Sequence, residues 1–134
     1  MRCAELLVEL AGEGDLDRTG GGLVVEVYPA AALRQWGFDP RGYKGSKPEK
    51  VEKRHQLVES LAAATSQWLE LPEEQRVLLA ASDHLFDALV SALVGRAVEL
   101  RRTLPVPDEH RPLAASEGWI HLPKRQPLSQ FRHV

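Results

Sequence analysis

The segment from Ser82 to Arg102, SDHLFDALVSALVGRAVELRR, leaves little choice of local structure. Phe86, Leu89, Val90, Leu93, Ala97 and Leu100 recur every three or four residues and share one broad face only on an α-helix. Ser82 stands where an N-cap is wanted, Asp83 follows in the first turn, the arginines come late, and Pro105 and Pro107 prevent continuation. Such a helix must bury its stripe, so the rest of the chain has to supply a covering surface. A second long helix is expected from Pro48, in PEKVEKRHQLVESLAAATSQWLEL, with Val51, Leu57 or Val58, Leu61 and Trp68 on one side. PEEQRVLLAA also reads as helix from its proline and paired acids, although RVLLA alone would suit a short buried strand. Shorter helices are expected over Met1 to Ala11, ended by the glycines of GEGD, and over AAALRQW.

Between the first two of these elements lies the run Leu23 to Tyr28. Its β-branched content favours a strand, with faces Leu23, Val25, Val27 and Val24, Glu26, Tyr28, and Pro29 ends it for want of an N–H donor. Both faces ask for cover, as in an interior strand, so the expected class is α/β. EGWIHLP is expected to add a short terminal strand, and KRQPLSQFRHV, residues 124–134, to form a frayed tail. With 134 residues and 43% hydrophobic composition the chain suits one domain, 1–134.

Glu26 is out of place in that run. An ionised carboxylate among apolar side chains needs a cation, hydrogen-bond donors, a proton or solvent. A strand-end residue paired with Arg34 or Arg54 would answer this need. So would a metal ion. Asp83 and Asp87 are one turn apart on one helix face, at the border of the apolar stripe. Asp83 is an ordinary first-turn acid; Asp87 lies in a helix interior, where Asp has poor propensity. Converged with Glu26, they would make an oxygen-rich site for Mg²⁺ or Mn²⁺ that also holds phosphate oxygens, as phosphoryl-transfer chemistry requires.

Other chemistries find less support. A net charge of -2 gives no basic field over the whole chain, though a local basic patch remains open. The single Cys3 provides no disulfide framework and suits a reducing compartment, so a cytoplasmic location is expected. No apolar run reaches the roughly 18 to 20 residues of a membrane span, and no membrane association is expected. His55, His84, His110, His121 and His133 lack metal-ligand spacing, and the glycines of GEGDLDRTGGG lack the Lys-Ser/Thr of a phosphate loop. Trp36, Trp68 and Trp119 fall at apolar positions and read as core.

VVEVYPAAALRQWG, YKG, RHQLVESL, SDHLFDALVSALVGRAVEL and EGWIHLP occur in that order from about Leu23 to Pro123, and together they resemble the domain-of-unknown-function family 429. Its members are predicted nucleases with a ribonuclease H-like fold. The resemblance implies an acid on the fourth strand at Glu26 and one on the later helix at Asp87, with Asp83 nearby. It also implies Tyr43, Lys44 and Arg54 as neighbours that meet phosphate; as plain sequence these are a loop lysine and a helix arginine of the ordinary surface kind. In that family an opening three-stranded meander carries the first aspartate. Here the first element resembles the helix that follows the meander, so 23–123 corresponds to a C-terminal portion and the expected fold is a helix-rich partial ribonuclease H-like one. Asp15 and Asp17 are not obvious substitutes.

Three functions follow as expectations. The first is a divalent-metal-dependent nuclease, incomplete or inactive as this chain alone, using Glu26, Asp87 and Asp83 as ligands and a nucleic acid as substrate. The second is a non-catalytic module that pairs through the open edge of its first strand with a second copy or a complementing N-terminal segment. The third is a small-ligand module in which Glu26 pairs with Arg54.

Overall fold

The computed structural model describes residues 3–12 and 17–132. Asp15, His133 and the Cys3 side chain lie outside what it describes. The chain divides into two compact units, residues 1–26 with 105–121, and residues 27–104 with 122–134.

Among the described residues the larger unit has four α-helices, α2 (Pro29–Gln35), α3 (Pro48–Thr65), α4 (Glu73–Ala81) and α5 (Asp83–Glu99), and a 3₁₀ turn, Leu128–Gln130. Pro29 and Pro48 open α2 and α3, where a missing N–H costs nothing. In α3 the buried residues are Arg54, Leu57, Val58, Leu61 and Thr65, a single stripe at helical spacing. The matching stripe of α5 is Phe86, Val90, Leu93, Val94 and Ala97. These two stripes, with Ala32, Leu33, Trp36 and Tyr43, form one core. α4 and α5 meet at a bend of 116° with only Ser82 between them. Ser82 caps the start of α5 by accepting from the Leu85 N–H at 3.3 Å, as its position in the sequence suggested.

The C-terminal ends of α2 and α5 are closed alike. At α2, the Gly37 N–H donates to Arg34 O and the Phe38 N–H to Leu33 O, a Schellman motif with Gly37 left-handed at φ 89°. At α5, the Arg101 N–H donates to Val98 O and the Arg102 N–H to Ala97 O, the same motif. Here the left-handed residue is Arg101, φ 57°, in place of glycine. A side chain in that region costs about 1–2 kcal/mol.

Residues 124–132 are not a frayed tail. Leu128 and Phe131 are buried in the core, and Phe131 meets Trp36 edge-on and Trp68 in a stacked arrangement at ring-centroid distances of 6.2 and 6.3 Å. The Trp68 indole N–H donates to Leu128 O at 2.8 Å. An apolar pair three residues apart, with carbonyls that accept from Trp68, Arg96 and Arg102, anchors a segment that otherwise reads as polar.

The smaller unit contains α1 (Cys3–Ala11), α6 (Arg111–Glu117) and a 3₁₀ turn, Asp108–His110. The expected α/β architecture, a partial ribonuclease H-like fold, is not present. Among the described residues there is no β-strand, only two isolated bridges: Glu26 with Ile120, parallel, and Thr103 with Pro123, antiparallel. β-branched residues make a strand only when a neighbour pairs with them and covers them. Leu23 is instead fully exposed, Tyr28 is taken up as the N-cap of α2, and EGWIHLP offers the run one residue pair rather than a ladder. The open strand edge on which self-association was to depend therefore has no strand beneath it.

Candidate functional site

Asp83 and Asp87 project from the first two turns of α5 towards the loop Tyr43–Lys44–Gly45. Asp87 uses both oxygens: Oδ1 accepts from the Tyr43 hydroxyl at 2.8 Å and Oδ2 pairs with the Lys44 ammonium. Asp83 Oδ2 accepts from the Gly45 N–H at 3.0 Å. That donor, the largest influence, holds the Asp83 carboxyl below its ordinary pKa despite some desolvation. Gly45 presents its N–H from φ 117°, a backbone region closed to most side chains. Tyr43 is buried, its ring tilted on Phe86 at 5.1 Å between centroids. Burial first, and then the bond to Asp87, raise its phenol above the ordinary value, so it stays a donor through neutral pH. Lys44 lies 5.4 Å from the centre of the Tyr43 ring and its side chain is 57% exposed, against 21% for Asp87. The cation of this pair faces solvent.

Arg54 sits beneath the loop, with none of its surface exposed. Its guanidinium donates to Tyr43 O at 2.5 Å, Gly45 O at 2.7 Å and Ala80 O at 2.8 Å. Ala80 is next to last in α4, which ends without a glycine cap, so Arg54 satisfies a carbonyl at the negative end of that helix and joins it to the loop. Sequence spacing holds this role: 54, 57, 58, 61 and 65 share one face, so Arg54 stood on the buried stripe from the start.

Comparison with protein families gives a match over residues 1–111 to the model described as "Protein of unknown function (DUF429)". The chain belongs to that family. No curated protein and no solved structure matches it. The family match takes in Tyr43 to Gly45, Arg54, Asp83 and Asp87, and ends before EGWIHLP.

Of the family positions expected from sequence, the structure brings together Tyr43, Lys44, Asp83 and Asp87, with Arg54 supporting the loop. Glu26 belongs to the smaller unit. Its partner there is neither Arg34 nor Arg54 but Arg18, which donates from Nε at 3.1 Å and through a second, shorter contact. Arg18 also reaches Ser116 O at 3.3 Å. This pair packs over Gly118 so closely that a Cβ there would lie 2.6 Å from both Glu26 oxygens. In the same unit the His121 ring is buried with its nitrogens 3.1 Å from Thr19 O and Trp119 O. Asp17 is tied to Thr19, whose hydroxyl and N–H lower its pKa.

Among the described residues no three His, Cys, Asp or Glu side chains gather as a metal cage. Two carboxylates are nonetheless what a magnesium ion commonly takes from protein, the remaining positions going to water and phosphate oxygens. Asp83 and Asp87 fit that pattern. Asp83 Oδ1 accepts no hydrogen bond from protein among the described residues and has only the exposed His84 at 3.8 Å, while Asp87 Oδ2 is held by a solvent-facing ammonium that an ion can displace.

Proposed function

We propose that this chain is a divalent-metal-dependent phosphodiesterase acting on nucleic acid, with Asp83 and Asp87 as the ligands of a Mg²⁺ or Mn²⁺ ion. The observation that carries the reading is the convergence of two carboxylates, a solvent-facing lysine and a glycine N–H on one loop fixed by a buried arginine. The resemblance of these segments to a family of predicted nucleases supports it. An ion held there would supply Lewis acidity to a phosphate oxygen. Lys44, released from Asp87, supplies a mobile cation for a non-bridging phosphate oxygen, and Tyr43 keeps Asp87 oriented through its hydroxyl. Glu26 is left out of this reading because Arg18 already answers its charge.

Mn²⁺ binding followed by electron paramagnetic resonance, together with cleavage of a labelled oligonucleotide, tests the proposal. Asp83→Asn and Asp87→Asn should each weaken Mn²⁺ binding at least about tenfold, which is about 1.4 kcal/mol, and abolish cleavage. Lys44→Ala should tighten Mn²⁺ binding, since a competitor for Asp87 is gone, yet slow cleavage. Mn²⁺ affinity indifferent to both aspartates would refute it.

A further inference from the structure

The C-terminal end of α5 and the segment 122–132 are joined in the larger unit. The Leu104 N–H donates to Leu122 O and the Lys124 N–H to Arg102 O, both at 2.8 Å, around the Thr103–Pro123 bridge. Arg102 reaches Gln130 O and lies over the Phe131 ring, while Arg96 donates to Phe131 O. Residues 96–104 and 122–132 thus bring six cations into one neighbourhood with a single carboxylate, Glu99, in a chain of net charge -2. Glu99 pairs with Arg96. Among the described residues no carboxylate pairs with Arg101, Arg102, Lys124, Arg125 or Arg132.

A helix C-terminus attracts some positive charge through its dipole, but that effect fades within the last turn and does not account for Lys124, Arg125 and Arg132. Nor does it account for Arg101. At the equivalent position of α2 the chain has glycine, which takes the left-handed conformation freely; at α5 it keeps an exposed arginine in that conformation at a cost in stability. Strain of this kind at an unpaired, solvent-facing cation points to a ligand.

We infer that this face is a binding surface for the sugar-phosphate backbone of nucleic acid, read without regard to sequence. Four of the five cations without a carboxylate partner are arginine, whose planar fork fits phosphate oxygens, and the bonds that Arg102 and Arg125 make, to Gln130 O and to Gln35 Oε1, leave both charges unneutralised. Its aromatic partners, Phe131 and Trp68, are respectively buried and half-buried under the guanidinium groups, so they do not serve as platforms for bases. Phe131 and Leu128 also point inward, and Leu104 is the one large apolar side chain exposed there among the described residues, so the face lacks the apolar wedge of a membrane-surface helix. The inference does not depend on the aspartate site, because backbone binding needs no metal ion and no cleavage.

The test is fluorescence anisotropy with a short labelled DNA duplex, in chelator, between about 50 and 200 mM salt. Affinity should fall with salt at a log–log slope of about -0.9 per phosphate engaged, reaching about -4.5 if all five cations take part. Arg101→Gly and Lys124→Gln should each weaken binding several-fold and lower the slope by about 1, whereas Lys53→Gln on α3 changes neither. Arg101→Gly should at the same time raise the melting temperature, which separates lost binding from lost folding. Unchanged affinity and slope in both variants would overturn the inference. So would binding to phosphatidylserine vesicles without affinity for the duplex, a result that would assign the face to a membrane.

Discussion

Replacing Arg54 by methionine keeps the apolar stem in the core and removes the guanidinium. Three carbonyls, those of Tyr43, Gly45 and Ala80, then lose donors that stand at 2.5 to 2.8 Å. A hydrogen bond to a charged group is worth about 1.5–3 kcal/mol, so even at the low end the three sum to about 4.5 kcal/mol. Part of this returns because the variant no longer buries a charge, while the stranded carbonyls keep their desolvation penalty. The net expectation is a loss of about 3–5 kcal/mol, comparable with the entire stability of a marginal domain. With a urea m-value of about 2 kcal/mol per molar, the midpoint should fall by about 2 M. Urea titration followed by far-ultraviolet circular dichroism measures this directly, and Arg54→Lys, which keeps the charge but not the fork, should recover only part of the loss. A midpoint within about 0.5 M of the wild type would show that the arginine is merely tolerated beneath the loop, and the argument that it fixes Tyr43 to Gly45 would fail.

Two further outcomes are expected. Gly118→Ala should strain the backbone at φ 93° and force a methyl group into the Arg18–Glu26 pair, so hydrogen exchange should quicken at the His121 amide, which donates to Glu26 O at 2.8 Å; unaltered exchange would argue against that packing. Because the folded pKa of Asp83 lies below its unfolded value, its contribution to stability is complete above the unfolded value near 3.8 and is lost as the pH falls through the folded one. Asp83→Asn should therefore lower stability at neutral pH and flatten its decline in acid, and parallel acid denaturation curves for the two proteins would contradict the Gly45 contact.

α2, α3 and α5 could be read from local chemistry, with proline at the start of α2 and α3, Ser82 before α5, and apolar stripes at helical spacing in the two long ones, whereas RVLLA in α4 also suited a short strand. Helical spacing joined Asp83 to Asp87, while the family resemblance alone added Tyr43, Lys44 and Arg54; it also named Glu26, which pairs with Arg18 instead. What failed was anything that depended on a distant partner. Leu23 to Tyr28 has strand composition, but a strand exists only in pairing, and composition is silent about whether a neighbour arrives. Arg18 reaches Glu26 from a glycine-rich loop, a closure that no periodicity encodes. Residues 124–132 are held by the burial of Leu128 and Phe131 and by donors from Trp68, Arg96 and Arg102, partners too distant in sequence to be read from composition, and α6 was missed because seven residues, RPLAASE, carry too short a pattern. Arg101 left no signal at all, since the residue type argues against the conformation it adopts.

The single residue between α4 and α5 makes their corner sensitive to length. Ser82 ends one helix and caps the next, so the chain has no slack there. Inserting one residue within the first turn would advance everything beyond it by about 1.5 Å and turn it through about 100°. Asp87 would then face away from Tyr43 while the apolar stripe of α5 rotated out of the core. Related chains should accordingly vary in length within the loops and at the chain ends, and hold constant the count from Ser82 to Asp87, because at this corner a gain of one residue acts as a rotation.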